Sequence, residues 1–163
     1  MAAPSIGYAK VNLDYVRTGS AGATCAEPGE FLRIGSDYVG VSDESTDKGV
    51  TYGVQCQVKA AADGKFQVIA RAEKRGSGNA SLTLQGTVAP ITGAQPGFKS
   101  TFQSTTAVYS QDNCTVELLD TASVSEGKIR GVLRCTEAAK ADVPNNVRCA
   151  ALAEFQFEEC AKQ

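Results

Sequence analysis

Three neighbouring stretches of this chain alternate apolar and polar residues with a period of two. Tyr52, Val54, Cys56 and Val58 alternate with Gly53, Gln55, Gln57 and Lys59. Phe66, Val68, Ala70 and Ala72 alternate with Gln67, Ile69, Arg71 and Glu73. Ala80, Leu82, Leu84, Gly86 and Val88 alternate with Ser81, Thr83, Gln85 and Thr87. A helix would scatter this pattern around its circumference, whereas a strand sorts it onto one buried and one solvated face. Asp63-Gly64 separates the first two runs, and Lys74-Arg75-Gly76-Ser77-Gly78-Asn79 separates the last two. Both are hairpin-turn compositions.

Further strands are expected over 6–16, 31–41, 98–109, 113–120, 128–135 and 148–158. Loops are expected near 18–30, 42–49, 89–97, 121–127 and 136–147, where Gly and Pro concentrate. In 150–159, Ala, Leu and Glu favour a helix, but Ala151, Ala153, Phe155 and Phe157 alternate, and the strand is preferred. Short strands at this spacing predict an all-β fold, an antiparallel sandwich or partly open barrel of roughly 8–10 strands. At 163 residues and with no repeat or linker, the chain reads as a single β domain over 1–163. Its core is expected to hold Val54, Val58, Phe66, Val68, Leu82, Leu84, Val116, Leu118, Leu133, Phe155 and Phe157.

Six cysteines are spread along the chain, at Cys25, Cys56, Cys114, Cys135, Cys149 and Cys160. No two are spaced as CxxC and there is no histidine, so zinc and iron–sulfur cages lack their usual ligand spacing. Even, dispersed cysteines read as disulfides and therefore as an oxidising compartment: secreted, periplasmic or cell surface. Six cysteines allow fifteen connectivities. Cys149 and Cys160 lie eleven positions apart in one segment, roughly 36 Å as a strand. A disulfide needs Cα atoms within about 7 Å, which leaves twelve. Folding 114–135 as a hairpin sets Cys114 opposite Cys135, Thr115 opposite Arg134, Val116 opposite Leu133, Leu118 opposite Gly131 and Asp120 opposite Ile129. That register sorts polar from apolar residues, so Cys114–Cys135 is expected, with Cys135–Cys149 as the rival. Cys25 and Cys56 must then pair with Cys149 and Cys160; Cys56–Cys149, both inward-facing, and Cys25–Cys160 are preferred. They would tie the N-terminal region to the last strand.

The formal net charge is −2, which points to neither a nucleic-acid nor a membrane-surface partner. Residues 51–100 carry six basic residues against Asp63 and Glu73, with no polybasic run. No stretch approaches the ~20 apolar residues of a membrane span. MAAPSIGYAK lacks the features of a signal peptide, so export implies a signal removed beforehand, or another route. Gly22-Ala23-Thr24-Cys25 lacks the apolar segment of a lipidation site. A lipid anchor on a removed segment stays open.

Candidate chemistry is sparse. Without histidine, Ser–His–Asp and Cys–His catalysis cannot be assembled. Glu154, Glu158 and Glu159 form the densest acidic cluster, with Glu154 and Glu158 on the solvent face of the last strand. Asp43-Glu44-Ser45-Thr46-Asp47-Lys48-Gly49 alternates oxygen ligands, but Lys48 and Val54 stand where an EF-hand needs Gly and an acid. Lys65, Arg71, Lys74 and Arg75 could gather at one hairpin without aromatic residues for base stacking. Tyr8, Tyr15, Tyr38, Tyr52 and Tyr109 could offer stacking faces to a sugar. Asn79-Ala80-Ser81 and Asn113-Cys114-Thr115 match the glycosylation sequon. Gly76-Ser77-Gly78 opens no helix, so it is a turn rather than a phosphate cradle. No catalytic residue, metal ligand or cofactor is assigned.

The cysteine of an early strand, the Ser/Thr/Gly-rich strands and the final Glu154-Phe155-Gln156-Phe157-Glu158-Glu159-Cys160 resemble small bacterial surface lipoproteins with sandwich domains, over 52–160. The resemblance rests on no specific motif and carries no residue role. The leading expectation is a non-catalytic exported or cell-envelope domain that binds a protein or surface partner. One alternative is a structural subunit of a filament or coat, self-assembling by adding the strand from 5–15 to a neighbour. Another is an enzyme inhibitor, or an enzyme without histidine chemistry.

Overall fold

The computed structural model describes residues 3–16, 25–144 and 147–161. Their strands, in chain order, are β1 (Ile6–Asp14), β2 (Gly29–Ile34), β3 (Val41–Ser42), β4 (Thr46–Asp47), β5 (Val50–Ala60) and β6 (Phe66–Arg75). There follow β7 (Ala80–Val88), β8 (Gly93–Gln103), β9 (Val108–Leu118), β10 (Val124–Ser125), β11 (Lys128–Lys140) and β12 (Arg148–Glu158). The fold is all-β and antiparallel. One curled sheet runs β2-β1-β12-β11-β9-β8-β7-β6-β5-β4, with β3 on β1 and β10 on β11. It is a partly open barrel stapled by three disulfides.

The alternation sorts as the pleat requires. Val54, Val58, Val68, Leu82, Leu84, Val116, Leu118, Leu133, Phe155 and Phe157 are all at most 2% exposed. Each such side chain contributes about 1.5–3 kcal/mol when fully buried. Phe66, the remaining expected core residue, is half-buried at the rim and packs against the core. Residues 150–159 fall mostly in β12, which is a strand. Phe31 extends the core, meeting Phe102 and Tyr109 edge-on at 6.0 and 5.4 Å.

Several boundaries differ from expectation. The strand expected over 31–41 stops at Ile34. Gly35 takes φ +87°, and Asp37 and Tyr38 both have positive φ in a tight Ser36–Val39 turn. That geometry reverses the chain. The loop expected over 42–49 overlaps the end of β3 and contains β4. β8 begins at Gly93, earlier than expected, and tolerates Pro96 because its ladder is irregular between Gln95 and Phe98. β9 starts at Val108 rather than 113. β11 runs on to Lys140, through a register shift between Cys135 and Ala138, where a loop from 136 was expected.

The hairpin register holds from Leu118↔Gly131 to Thr115↔Arg134. It fails at its tip. Asp120 instead caps a 3-10 turn over Thr121–Ser123, and Ile129 pairs with Val124.

Cys114–Cys135 is bonded as expected, but the other two pairs are exchanged. Cys25 bonds Cys149, and Cys56 bonds Cys160. The reason lies in strand order. Leu13 pairs with both Gly29 and Ala151, which brings Cys25 beside the start of β12. Cys160 sits at the other end of that strand. There, Ala161 accepts from Val58 N at 3.3 Å and donates to Cys56 O at 3.0 Å.

The outer edge of β5 is covered piecemeal. Tyr52 exchanges backbone hydrogen bonds with Glu44 and Ser45, and Val54 N donates to the Asp43 carboxylate at 2.8 Å. Cys56 and Val58 bond Ala161, and Gly127 N donates to Val58 O. These segments do what a partner strand would otherwise do for an exposed edge.

A candidate binding face on β5 to β8

The registers of β5, β6, β7 and β8 place outward residues in cross-strand rows. Gln57, Ile69, Gln85 and Lys99 make one row, and Gln55, Arg71, Thr83 and Thr101 make the next. Strands lie about 4.8 Å apart, so each row of four spans roughly 14 Å. Thr83 and Thr101 are short and partly buried, while Gln55, Ile69, Arg71, Gln85 and Lys99 stand exposed around them. The result is a shallow groove of about 470 Å³ lined by these eight side chains, with Cys56, Ala70 and Leu84 beneath.

Its electrostatics are one-sided. Arg71 and Lys99 line it, and no carboxylate does. Glu73, just outside, binds Arg71 at 2.9 Å and approaches Arg75 at 3.7 Å. Among the described residues no carboxylate lies within ion-pairing distance of Lys99. Thr83 Oγ1 donates to Thr101 O, whereas the inward Ser100 Oγ donates to Thr83 O from the core side. The two strands are thus cross-tied at the centre of the groove. The groove supplies amides, hydroxyls and two cations, one of them paired to Glu73, over a largely apolar floor.

The residues singled out from sequence do not converge. Glu154 and Glu158 lie four positions apart along β12, roughly 13 Å. Glu158 accepts from Gln156 Nε2 at 2.6 Å, and Glu159 follows the strand with φ 53°. In 43–49, Asp43 is engaged by Val54 N, Ser45 Oγ donates to Ser42 O, and Glu44 approaches Arg75 at 3.9 Å. The oxygens of that loop hold the β3–β4 segment against β5. Lys65 precedes β6 while Arg75 ends it, roughly 33 Å away, so the four basic residues form no single cluster. Arg71, Lys74 and Arg75 do come together, lining a small hollow with Glu73, Asn79 and Ser81, and Lys65 stands apart. Asn79 accepts from Gly76 N and Asn113 from Gly97 N; both asparagines are exposed.

Nor do the tyrosines form a stacking platform. Tyr8 and Tyr109 are buried, and Tyr15 is 59% exposed. Tyr38 folds back so that its ring lies 4.9 Å from that of Tyr8, with the Arg130 guanidinium 4.4 Å above it. Burial, then the Glu154 charge, raises both phenols' pKa. Tyr109 donates to Glu27 at 3.3 Å; burial first, and then Glu27, push its pKa up to about 12.

Outward positions on β5 to β8 are largely Gln, Thr, Lys and Arg around an apolar interior, the reverse of a membrane-spanning barrel's polarity. Among the described residues no helix is long and apolar enough to cross a membrane. Three disulfides indicate an oxidising compartment. Sequence reasoning missed the groove as a site. Its signal was the choice of Gln and Thr, rather than Lys and Glu, at the polar positions of the alternating runs. No protein-family model, curated protein or solved structure matches this chain.

Proposed function

We propose that this chain is a non-catalytic binding domain of an exported or cell-envelope protein, and that the outer face of β5 to β8 receives its partner. The observation that carries the reading is the groove itself. Four regularly paired strands hold two rows of hydrogen-bonding side chains on a rigid frame. A rigid backbone favours binding, because no ordering of the main chain is spent on association. The long-range disulfides add to that rigidity. Self-assembly through the first strand is disfavoured by its position. β1 is paired to β12 along its whole length, and to β2 and β3 on its other edge. Releasing it would dismantle the sheet.

The test is sedimentation of labelled protein with the insoluble envelope fraction of the cells that make it. Wild type should sediment. Thr83→Trp, which fills the groove, should stay in solution while keeping the wild-type circular dichroism and melting curve. If both proteins partition alike, or neither sediments, the reading is wrong. Thr101→Trp serves as a second variant should the first disturb the fold.

A further inference from the structure

We infer that the partner of the β5–β8 groove is an anionic, hydroxyl-rich polysaccharide. This rests on the groove being the binding face. The first argument is charge complementarity. Among the lining residues are Arg71 and Lys99 and no acid, with Arg71 paired at 2.9 Å to Glu73 just outside. Lys59, exposed on the outward side of β5, adds a further cation beside the row formed by Gln57 and Lys99. The molecule as a whole carries a formal net charge of −2. On a weakly acidic protein, Lys59, Lys99 and the Glu73-paired Arg71 are therefore a local arrangement, set by where the basic residues fall in the meander.

The second argument is the kind of contact offered. Gln55, Gln57, Gln85, Thr83 and Thr101 present amide and hydroxyl groups that both donate and accept. Sugar hydroxyls need such two-way partners, while Arg71 and Lys99 suit carboxylate or sulfate groups along the polymer. The groove lies across four strands and is shallow, which fits an extended repeating chain better than a compact small molecule.

Other polymers fit less well. A peptide adding as a strand needs free backbone donors and acceptors, and a sheet face offers side chains instead. A protein partner of ordinary affinity seeks buried aromatic or arginine anchors in pockets; here Ile69, 53% exposed, is the one exposed large apolar side chain in the lining. Single-stranded nucleic acid needs aromatic platforms, and no Phe or Tyr lines the groove.

Affinity electrophoresis of the intact, oxidised protein decides the matter. Separate gels would contain a polyuronate, neutral dextran or poly-glutamate. The polyuronate should retard the wild type, and its apparent affinity should fall at least tenfold in Lys99→Gln and in Arg71→Gln. Lys128→Gln, on β11 and outside the groove, should behave as wild type. Added salt should weaken the retention. Equal retention by poly-glutamate would identify plain ion exchange or an acidic protein partner, and would overturn the inference. Equal retention by dextran, an equal loss in Lys128→Gln, or no retention in any gel would overturn it as well. If Thr83→Trp still abolishes envelope sedimentation while no polyuronate retards the wild type, the polysaccharide is wrong and the binding face stands.

Discussion

From β5 to β8 each strand meets its sequence neighbour across a short turn, in ladders of up to ten paired residues. The outer edge of β5 is different. It is covered by the two-residue β4 and by segments around Asp43–Ser45, Gly127 and Ala161, each segment supplying one to three hydrogen bonds. The meander is held by contacts close in sequence; the seam mixes near contacts from Asp43–Ser45 with distant ones from Gly127 and Ala161. The disulfides divide likewise. Cys114–Cys135 spans 21 positions within adjoining strands, whereas Cys25–Cys149 and Cys56–Cys160 span 124 and 104. Local pairing forms with little loop-closure cost, while distant pairing must overcome much more. The long-range disulfides stand where that cost is highest.

The largest expected effect tests this division directly. Replacing Cys56 and Cys160 together by serine should cost about 2–5 kcal/mol in urea melts. Replacing Cys114 and Cys135 should cost roughly 1–2 kcal/mol less, because the shorter loop restrains the unfolded chain less. Equal losses would break the comparison between meander and seam.

Within the meander, Leu84 and Ile69 sharpen the distinction between the two faces. Leu84→Ala should cost about 2–5 kcal/mol, since Leu84 is 1% exposed. Ile69→Ala, at the groove, should stay within about 0.5 kcal/mol. A Leu84→Ala protein as stable as wild type would overturn the assignment of faces.

Gly86 probes how tightly the meander packs. A Cβ there would meet the Phe98 ring at 2.8 Å. Gly86→Ala should therefore destabilise by about 1–3 kcal/mol through overpacking, read as a lowered melting temperature. An unchanged Tm would mean that Phe98 yields.

The smallest effect is alkaline. Tyr109 has its pKa raised from 10.0 to about 12 by burial and Glu27. Its neutral form is the one favoured by folding, so the associated stability is complete below pH 10. It is lost as pH rises toward 12. Tyr109→Phe should flatten that part of the stability–pH curve. An identical slope in the variant would show that other groups govern the alkaline limb.

Much of the fold was legible in the residues because the strand pleat is a local property. Val54 to Val58, Phe66 to Ala72 and Ala80 to Val88 each declare two faces without reference to the rest of the chain. The registers of the β5–β6 and β6–β7 hairpins follow from their short turns. The groove was only half legible. Gln55, Gln57, Thr83 and Gln85 were recognisable as outward residues, but nothing in their spacing says that Lys99 and Thr101 complete their rows. That depends on how β8 enters the sheet past its irregular ladder between Gln95 and Phe98.

By itself the sequence determined the strand-rich class, the inward residues of the meander, and the Cys114–Cys135 bond. That bond followed because one hairpin register satisfies both the pleat and the cysteines. Only the tertiary structure decided that Cys25 meets Cys149 and Cys56 meets Cys160. These four cysteines are buried at 8% exposure or less, so burial cannot choose between the two assignments. The choice is made by β1, which takes both β2 and β12 as neighbours and carries Cys25 to the start of the last strand. The end of that strand is left beside β5. A period-two pattern specifies which way a side chain points, but it has no information about which distant strand will lie alongside.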